Sequence, residues 1–231
     1  MPSPTLVLRM KRNAAQRAVG EIEDGRKVGL GSGSTAELAV EALATRCAAG
    51  LRIIAIASSP RTAALARRLR LPLTGFAKHQ RLDLTIDGAD QVETRSLALV
   101  KGLGGALLRE KIVAGASARL VIVVDRTKLV DQLGGAVPLP VEIIPFGWQL
   151  LVARLAALGV APKLRQNSGK PFRTADGNLI VDCAAGPITD AAALQTALLS
   201  LVGVVETGLF LGMASKIVVG LADGVEMLER P

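Results

Sequence analysis

Residues 119–125, RLVIVVD, form an unbroken apolar run that ends in a carboxylate. A strand with one face in water alternates polar and apolar residues. A continuous run rich in β-branched residues belongs instead to a parallel sheet covered on both faces. Related runs recur along the first 130 residues: KVGL (27–30), LRIIAIASS (51–59), LDLTID (82–87) and LALVKG (97–102). Between them, TAELAVEALATRCAAG (35–50), RTAALARRL (61–69) and ALLREKIVAGA (106–116) carry apolar residues at helical spacing. This alternation predicts an α/β fold, with a mostly parallel sheet flanked by helices in a Rossmann-like main domain.

The rhythm changes near Pro138. PLPVEIIPFGWQLLVARLAALG (138–159) joins a proline-punctuated strand to an amphipathic helix. NLIVDC (178–183), DAAALQTALLSL (190–201) and GVVETGLF (203–210) follow as strand, helix and strand. A β-α-β-α-β succession of this size predicts a smaller α+β domain of ferredoxin-like character. KIVVGLADGVEML (216–228) reads as strands that rejoin the main sheet. The expected division is a main domain of residues 1–132 and 207–231 and a small domain of residues 133–206.

Half of the 231 residues are hydrophobic, enough for a sizeable core. The longest uncharged apolar stretch, 191–205, is too short to span a bilayer and contains Gln195, Thr196 and Ser200. The N-terminal MPSPTLVLRMKRN places apolar residues before charges, the wrong order for a secretory signal. A soluble cytoplasmic protein with no membrane partner is expected. Cys47 and Cys183 fall in no disulfide or zinc pattern, and His79, the single histidine, has no second imidazole to share a metal with. Acid–base chemistry therefore falls to carboxylates and lysines.

The formal charge of +8 fits nucleic acid, an anionic surface or an anionic small substrate. Aromatic residues are only 2% of the chain and tyrosine is absent, so the stacking platforms of single-strand binders are missing. The basic cluster RRLR (67–70) reads as a solvated helix face. Nucleic-acid binding is left without a motif.

GLGSGSTA (29–36) stands between a strand and a helix. Glycines let backbone approach a ligand, and the N–H groups of a helix N-terminus point at negative charge. Ser34 and Thr35 add hydroxyls and are expected to cap the helix. Gly31, Gly33 and Ala36 fit the loose dinucleotide fingerprint, but no acidic residue occurs from Ala42 to Leu82 to hold an NAD ribose. An NADP reading through Arg61 stays open, and a phosphate on a small substrate fits best.

Asp87 and Asp90 lie at the carboxyl end of a strand, where open α/β sheets place ligands. A DG turn accounts for Asp87 alone. It does not account for a second aspartate followed by KGLGG (101–105) and Glu110. Lys101 is placed to stabilise a developing oxyanion. Glu110 falls on the first turns of a helix, as a base or simply in favour of the helix dipole.

GLGSGSTA, DGADQV, KGLGGALLREKIVA, VDRTKLV, LPVEIIP and DGNLIVD, in that order, resemble the ribose-5-phosphate isomerases of type A. The resemblance runs from about Lys11 to the C-terminal strand. It implies an α/β main domain with a small α+β lid domain, the interconversion of ribose 5-phosphate and ribulose 5-phosphate in pentose phosphate metabolism, no metal or organic cofactor, and a dimer or tetramer. It makes Glu110 the base. Ser32, Gly33, Ser34 and Thr35 match the substrate-contacting loop. Asp87, Gly88, Ala89 and Asp90, with Lys101, Gly102, Leu103 and Gly104, match the residues around the sugar's reacting end. Lys128 matches another substrate-contacting lysine, and Lys11 a third. Gln91 stands where the family commonly has Glu, Leu103 where it has Gly, and Ser32 where it has Thr.

The chemistry and the residues agree. Aldose–ketose isomerisation moves a proton between C2 and C1 through an enediolate, and a glutamate of ordinary pKa, ~4.3, is already a base at neutral pH. Lys101 would supply charge for the enediolate, and the two aspartates would hold or relay hydroxyl protons. A sugar-phosphate-responsive regulator, or a related sugar-phosphate isomerase or deaminase, is the alternative on the same fold. The chain carries nothing like a helix-turn-helix appendage.

Overall fold

The computed structural model describes residues 2–229. The first elements are α1 (Pro4–Val19), β1 (Arg26–Leu30), α2 (Ser34–Ala48), β2 (Ile53–Ala57), α3 (Pro60–Arg68) and β3 (Leu84–Asp87). Then come β4 (Gln91–Glu93), β5 (Leu99–Val100), α4 (Leu107–Gly115), β6 (Leu120–Asp125), a 3-10 turn (Arg126–Lys128) and β7 (Leu129–Val130). They are followed by β8 (Leu139–Ile143), α5 (Trp148–Ala157), β9 (Ala161–Leu164), β10 (Gln166–Asn167) and β11 (Lys170–Pro171). The last are β12 (Leu179–Ala184), α6 (Ala191–Leu199), β13 (Val204–Thr207), β14 (Leu209–Phe210), β15 (Lys216–Leu221) and β16 (Gly224–Glu229). Two compact units result. One takes the chain up to Ala89, Arg109–Leu129 and the chain from Gly212; the other takes Asp90–Leu108 and Val130–Leu211.

The first unit is built on a six-stranded sheet of order β16-β15-β6-β3-β1-β2. All neighbours pair in parallel except the edge strand β16, which turns back on β15. All six residues of β6 are buried, the double coverage its apolar run predicts. Val28 and Leu30 of β1 face a cluster that includes Ala14, Ala15 and Ala18 of α1 and Val40 and Leu43 of α2. Gly29 points to the opposite face, where a Cβ would come 2.7 Å from Val113 Cγ1 of α4. The helix α1 is an element that the sequence pattern did not isolate; the Ser3 hydroxyl caps it by accepting from Leu6 N–H, and Pro4 opens its first turn.

Strand β1 lies between β2 and β3, so the chain leaves β1 towards one side of the sheet while β3 runs on the other. At such a switch point the loops beyond the carboxyl ends diverge and leave a crevice. Leu30 pairs with both Ala57 and Ile86, which brings the loop after β1 level with Asp87.

The second unit contains an antiparallel sheet of order β13-β8-β12-β9. With α5 and α6 it follows the ferredoxin-like succession β8-α5-β9-β12-α6-β13. The expected succession lacked β9, a short edge strand with half-exposed and exposed residues and no apolar periodicity. Val141, Ile143, Leu151, Leu155, Val181 and Leu198 lie in its core. A second sheet in this unit has the order β14-β5-β4-β7. The run GVVETGLF therefore divides between two sheets at Gly208, whose N–H donates to Pro140 O at 2.7 Å. No helix among the described residues is long and apolar enough to cross a membrane.

Candidate active site

The loop after β1 is organised by one carboxylate. Asp87 is fully buried, and its Oδ1 accepts the N–H of Ser32 at 2.9 Å and that of Gly88 at 2.7 Å. Gly31 permits this approach: a Cβ there would lie 2.1 Å from Asp87 Oδ1. The Ser32 hydroxyl meets Ser58 Oγ at 2.9 Å and Thr62 Oγ1 at 3.4 Å. Thr62 donates in turn to Gly31 O at 2.9 Å. Ser58 and Thr62 are fully buried, so a small hydroxyl cluster beneath the loop sets its height.

Gly33, at φ 95°, is the N-cap of α2, and no side chain caps that helix. The expected capping by Ser34 and Thr35 is thus corrected, because both already lie inside the first turn. The first N–H groups of α2 are left to point at whatever anion enters the loop. Lys11 Nζ donates to Ser34 Oγ at 2.9 Å and adds a positive charge beside that turn. Thr35 is buried, whereas Gly33 and Ser34 are exposed. Arg61, the residue of the NADP reading, is ion-paired with Glu37 at 2.6 Å.

Glu110 stands in the first turn of α4 and is 4% exposed. Lys128 ends the 3-10 turn after β6 and is half-buried. That turn is capped by Asp125, whose Oδ1 accepts from Thr127 N–H at 3.0 Å. Gly88 and Ala89 follow Asp87 and are half-buried.

In the other unit, Asp90 Oδ2 accepts the N–H of Leu103 at 3.0 Å, so the second aspartate holds the glycine-rich turn 102–105. Lys101 is 2% exposed; its N–H donates to Gly208 O at 2.8 Å, and its ammonium lies 5.4 Å from the centre of the Phe210 ring. Gly102 is buried, while Leu103 and Gly104 are exposed. Gln91 is buried and clamps Gly134 from both ends of its amide. Nε2 donates to Gly134 O at 3.1 Å, and Oε1 accepts Gly134 N–H at 2.8 Å. A carboxylate could not donate to that carbonyl, so the Gln found at this position in the DGADQ motif is matched to its surroundings.

Three groups that shape these loops were not singled out by sequence pattern. Ser58 and Thr62 offered a weak signal, a strand that ends in hydroxyl residues where an acidic residue was sought. Arg165, which contacts the 102–105 turn, offered none, because it lies some sixty residues further along the chain and carries no motif.

The family model described as Ribose 5-phosphate isomerase A (phosphoriboisomerase A) matches residues 54–224. The Ribose-5-phosphate isomerase A of Gloeobacter violaceus is 53% identical over 219 residues, covering 95% of each chain. The solved structure of ribose 5-phosphate isomerase A from Methanocaldococcus jannaschii is 36% identical, with a TM-score of 0.91 over 96% of this chain and 98% of that one. A further D-ribose-5-phosphate isomerase, solved in complex with phospho-erythronic acid, is 33% identical, with a TM-score of 0.94 over 97% of this chain and 99% of that one. With its motifs in order along the chain, its parallel sheet and its ferredoxin-like unit, the protein belongs to the ribose 5-phosphate isomerase A family.

Proposed function

We propose that this isomerase interconverts ribose 5-phosphate and ribulose 5-phosphate by a single-base proton transfer in which Glu110 is the base. In the forward direction the Glu110 carboxylate takes the proton from C2 of the open-chain aldose, and the C2–H electron pair forms the C1–C2 double bond of an enediolate. Glu110 then returns the proton to C1. The hydroxyl proton on O2 passes to O1, so C1 ends as a CH2OH group and C2 as the ketone. Asp87 and Asp90 are assigned to these hydroxyl groups. Lys101 is assigned to the negative charge that develops on oxygen, where a fixed cation is worth most.

The phosphate is assigned to the loop of Ser32, Gly33, Ser34 and Thr35 with Lys11. Binding at this remote group supplies energy that holds the reacting carbons in place. Gly88, Ala89, Gly102, Leu103, Gly104 and Lys128 complete the substrate contacts in this reading. Residues 133–206 are kept as a lid domain, distinct from a main domain of residues 1–132 and 207–231.

The observation that carries the reading is the burial of Glu110, 4% exposed, in a chain whose motifs match the family in order. Buried titratable groups are enriched at functional sites. The test is incubation with ribose 5-phosphate in EDTA while ribulose 5-phosphate is followed. Steady turnover is expected, free ribose should be a very poor substrate, and phospho-erythronic acid should compete. Equal turnover of ribose and its 5-phosphate would remove the phosphate assignment.

A cytoplasmic location and a homo-oligomer of two or four copies complete the proposal. The two free cysteines suit a reducing compartment. Exposed Phe146, Leu150 and Val202 give the smaller unit apolar surface that a second copy would cover. Light scattering at micromolar concentration checks the oligomer.

A further inference from the structure

The turn 102–105 is gripped by a side chain with no part in the mechanism so far. Arg165, directly after β9, donates from Nη1 to two successive carbonyls, Gly102 O at 3.1 Å and Leu103 O at 3.0 Å. Its Nε donates to Asp182 Oδ2 of β12 at 2.8 Å, and Nη2 donates to Asp182 Oδ1. The guanidinium carbon lies 5.8 Å from the centre of the Phe172 ring. Phe172 also covers Gly105, where a Cβ would come 2.5 Å from the ring. On the other side, Asp90 holds the N–H of Leu103. The Arg165 side chain is only 14% exposed.

We infer that Arg165, oriented by Asp182 and Phe172, is a positioning residue for the reaction, fixing the 102–105 turn and through it Lys101. The inference rests on the assignment of Lys101, Gly102, Leu103 and Gly104 to substrate made above. A guanidinium has five donors in one plane. One edge chelates the carboxylate of Asp182, and the nitrogen left over reaches two carbonyls of the turn. Two adjacent carbonyls that converge on one point repel each other unless a donor lies between them, so the cation determines the shape of the turn. Asp182 offsets the buried charge and fixes the plane from which Nη1 projects. Lysine keeps the charge but offers donors at a single point, and cannot chelate Asp182 and reach both carbonyls together. An arginine whose only duty was to tie β9 to β12 would stop at Asp182.

The test compares Arg165→Lys with the wild-type enzyme on ribose 5-phosphate, with kcat expressed per folded chain from far-UV circular dichroism. Misplacement of a reacting group by about 1 Å can cost on the order of 100-fold, so kcat is expected to fall roughly 10–100-fold. KM should rise by a smaller factor than kcat falls, because the phosphate loop is untouched while the turn that contacts the sugar is displaced. Free guanidinium ion added to Arg165→Ala should restore part of kcat. Phe172→Leu, which removes the ring behind the guanidinium, should give a smaller loss of the same kind, and it decides the matter if neither Arg165 variant folds. Wild-type kcat per folded chain in Arg165→Lys, or in Phe172→Leu where that variant decides, overturns the inference and leaves the proposed function standing. A wild-type enzyme that does not isomerise ribose 5-phosphate overturns both.

Discussion

Asp87 reaches across from the end of β3 to Ser32 in the loop just beyond β1, its Oδ1 accepting the Ser32 N–H at 2.9 Å. This bond, together with the Gly88 N–H on the same oxygen, fixes the loop that the proposal assigns to phosphate. Gly31→Ala would bring a methyl group to 2.1 Å from that oxygen, so the loop or the carboxylate must move. Loss of roughly 100-fold in kcat/KM is expected, as for a reacting group displaced by about 1 Å. Asp87→Asn keeps an oxygen acceptor but loses the charge, and should raise KM as well as lower kcat. Steady-state kinetics of both variants checks this; a Gly31→Ala enzyme with wild-type kcat/KM contradicts the account of the loop.

Glu110→Gln preserves the size of the side chain and cannot accept a proton from carbon. A positioned general base contributes on the order of 10²–10⁴-fold, about 3–5 kcal/mol of barrier. The variant should lose that factor in kcat while binding phospho-erythronic acid within a few-fold of wild type. Exchange of the substrate C2 hydrogen in D₂O gives the decisive comparison. Exchange that persists in Glu110→Gln but stops in Asp87→Asn or Asp90→Asn would transfer the role of base to an aspartate.

The two thiols should differ sharply. Cys183 lies in the core of the smaller unit, fully buried, and burial pushes its pKa up to about 12. Cys47 is half-buried on α2, and burial raises its pKa as well, with Arg46 acting in the opposite direction. The thiolate is the reactive form. At pH 8 a disulfide reagent should therefore modify Cys47 slowly and leave Cys183 untouched until the chain is unfolded. Both thiols titrating together in the native protein would contradict the packing of β12.

Glu21 is the hub of a charge network in the larger unit. It accepts from Lys216 Nζ at 2.9 Å, Arg17 at 3.0 Å and Arg119 at 3.1 Å. Burial pushes its pKa upward, but the bonds from Lys216 and Arg119 outweigh this and hold it below 4.5. A depressed folded pKa means that the network's stabilisation is complete above pH 4.5 and is lost as pH falls through the folded value. Glu21→Gln should destabilise by about 1–3 kcal/mol at pH 7, less than a fully buried pair because both arginines are partly exposed. The gap in Tm between wild type and variant should narrow as pH falls below 4.5 and close once pH passes the lowered folded value, where the wild-type carboxyl also becomes neutral. A gap that is constant from pH 7 to pH 3 rules out the charge as its source.

The sequence alone determined the local events. The apolar run 119–125 could only be a strand covered on both faces, and it became β6, buried along its whole length. The glycines before Ser34 had to form a tight turn into a helix. Carboxylates at strand ends had to be either structural or functional, since a buried charge is costly unless it is paired or used. These conclusions follow from periodicity and from the conformational limits of single residues, and neither depends on distant parts of the chain.

Tertiary structure decided what depends on the meeting of remote segments. LALVKG read as a strand, but its pairing with β4 and β14 in a separate sheet follows from a register that no local pattern encodes. The short strand β9 has no apolar periodicity, and exists because β12 offers it an edge with unpaired backbone groups. Asp87 is both a structural and a candidate functional carboxylate: only the pairing of β1 with β3 brings Ser32 N–H to its oxygen. Arg165 is one of many arginines in the sequence. It became significant when antiparallel pairing placed it next to Asp182 and within reach of two carbonyls sixty residues earlier. Hydrogen bonds at 3 Å are fixed by the sum of all packing around them, and a linear pattern holds no record of that sum.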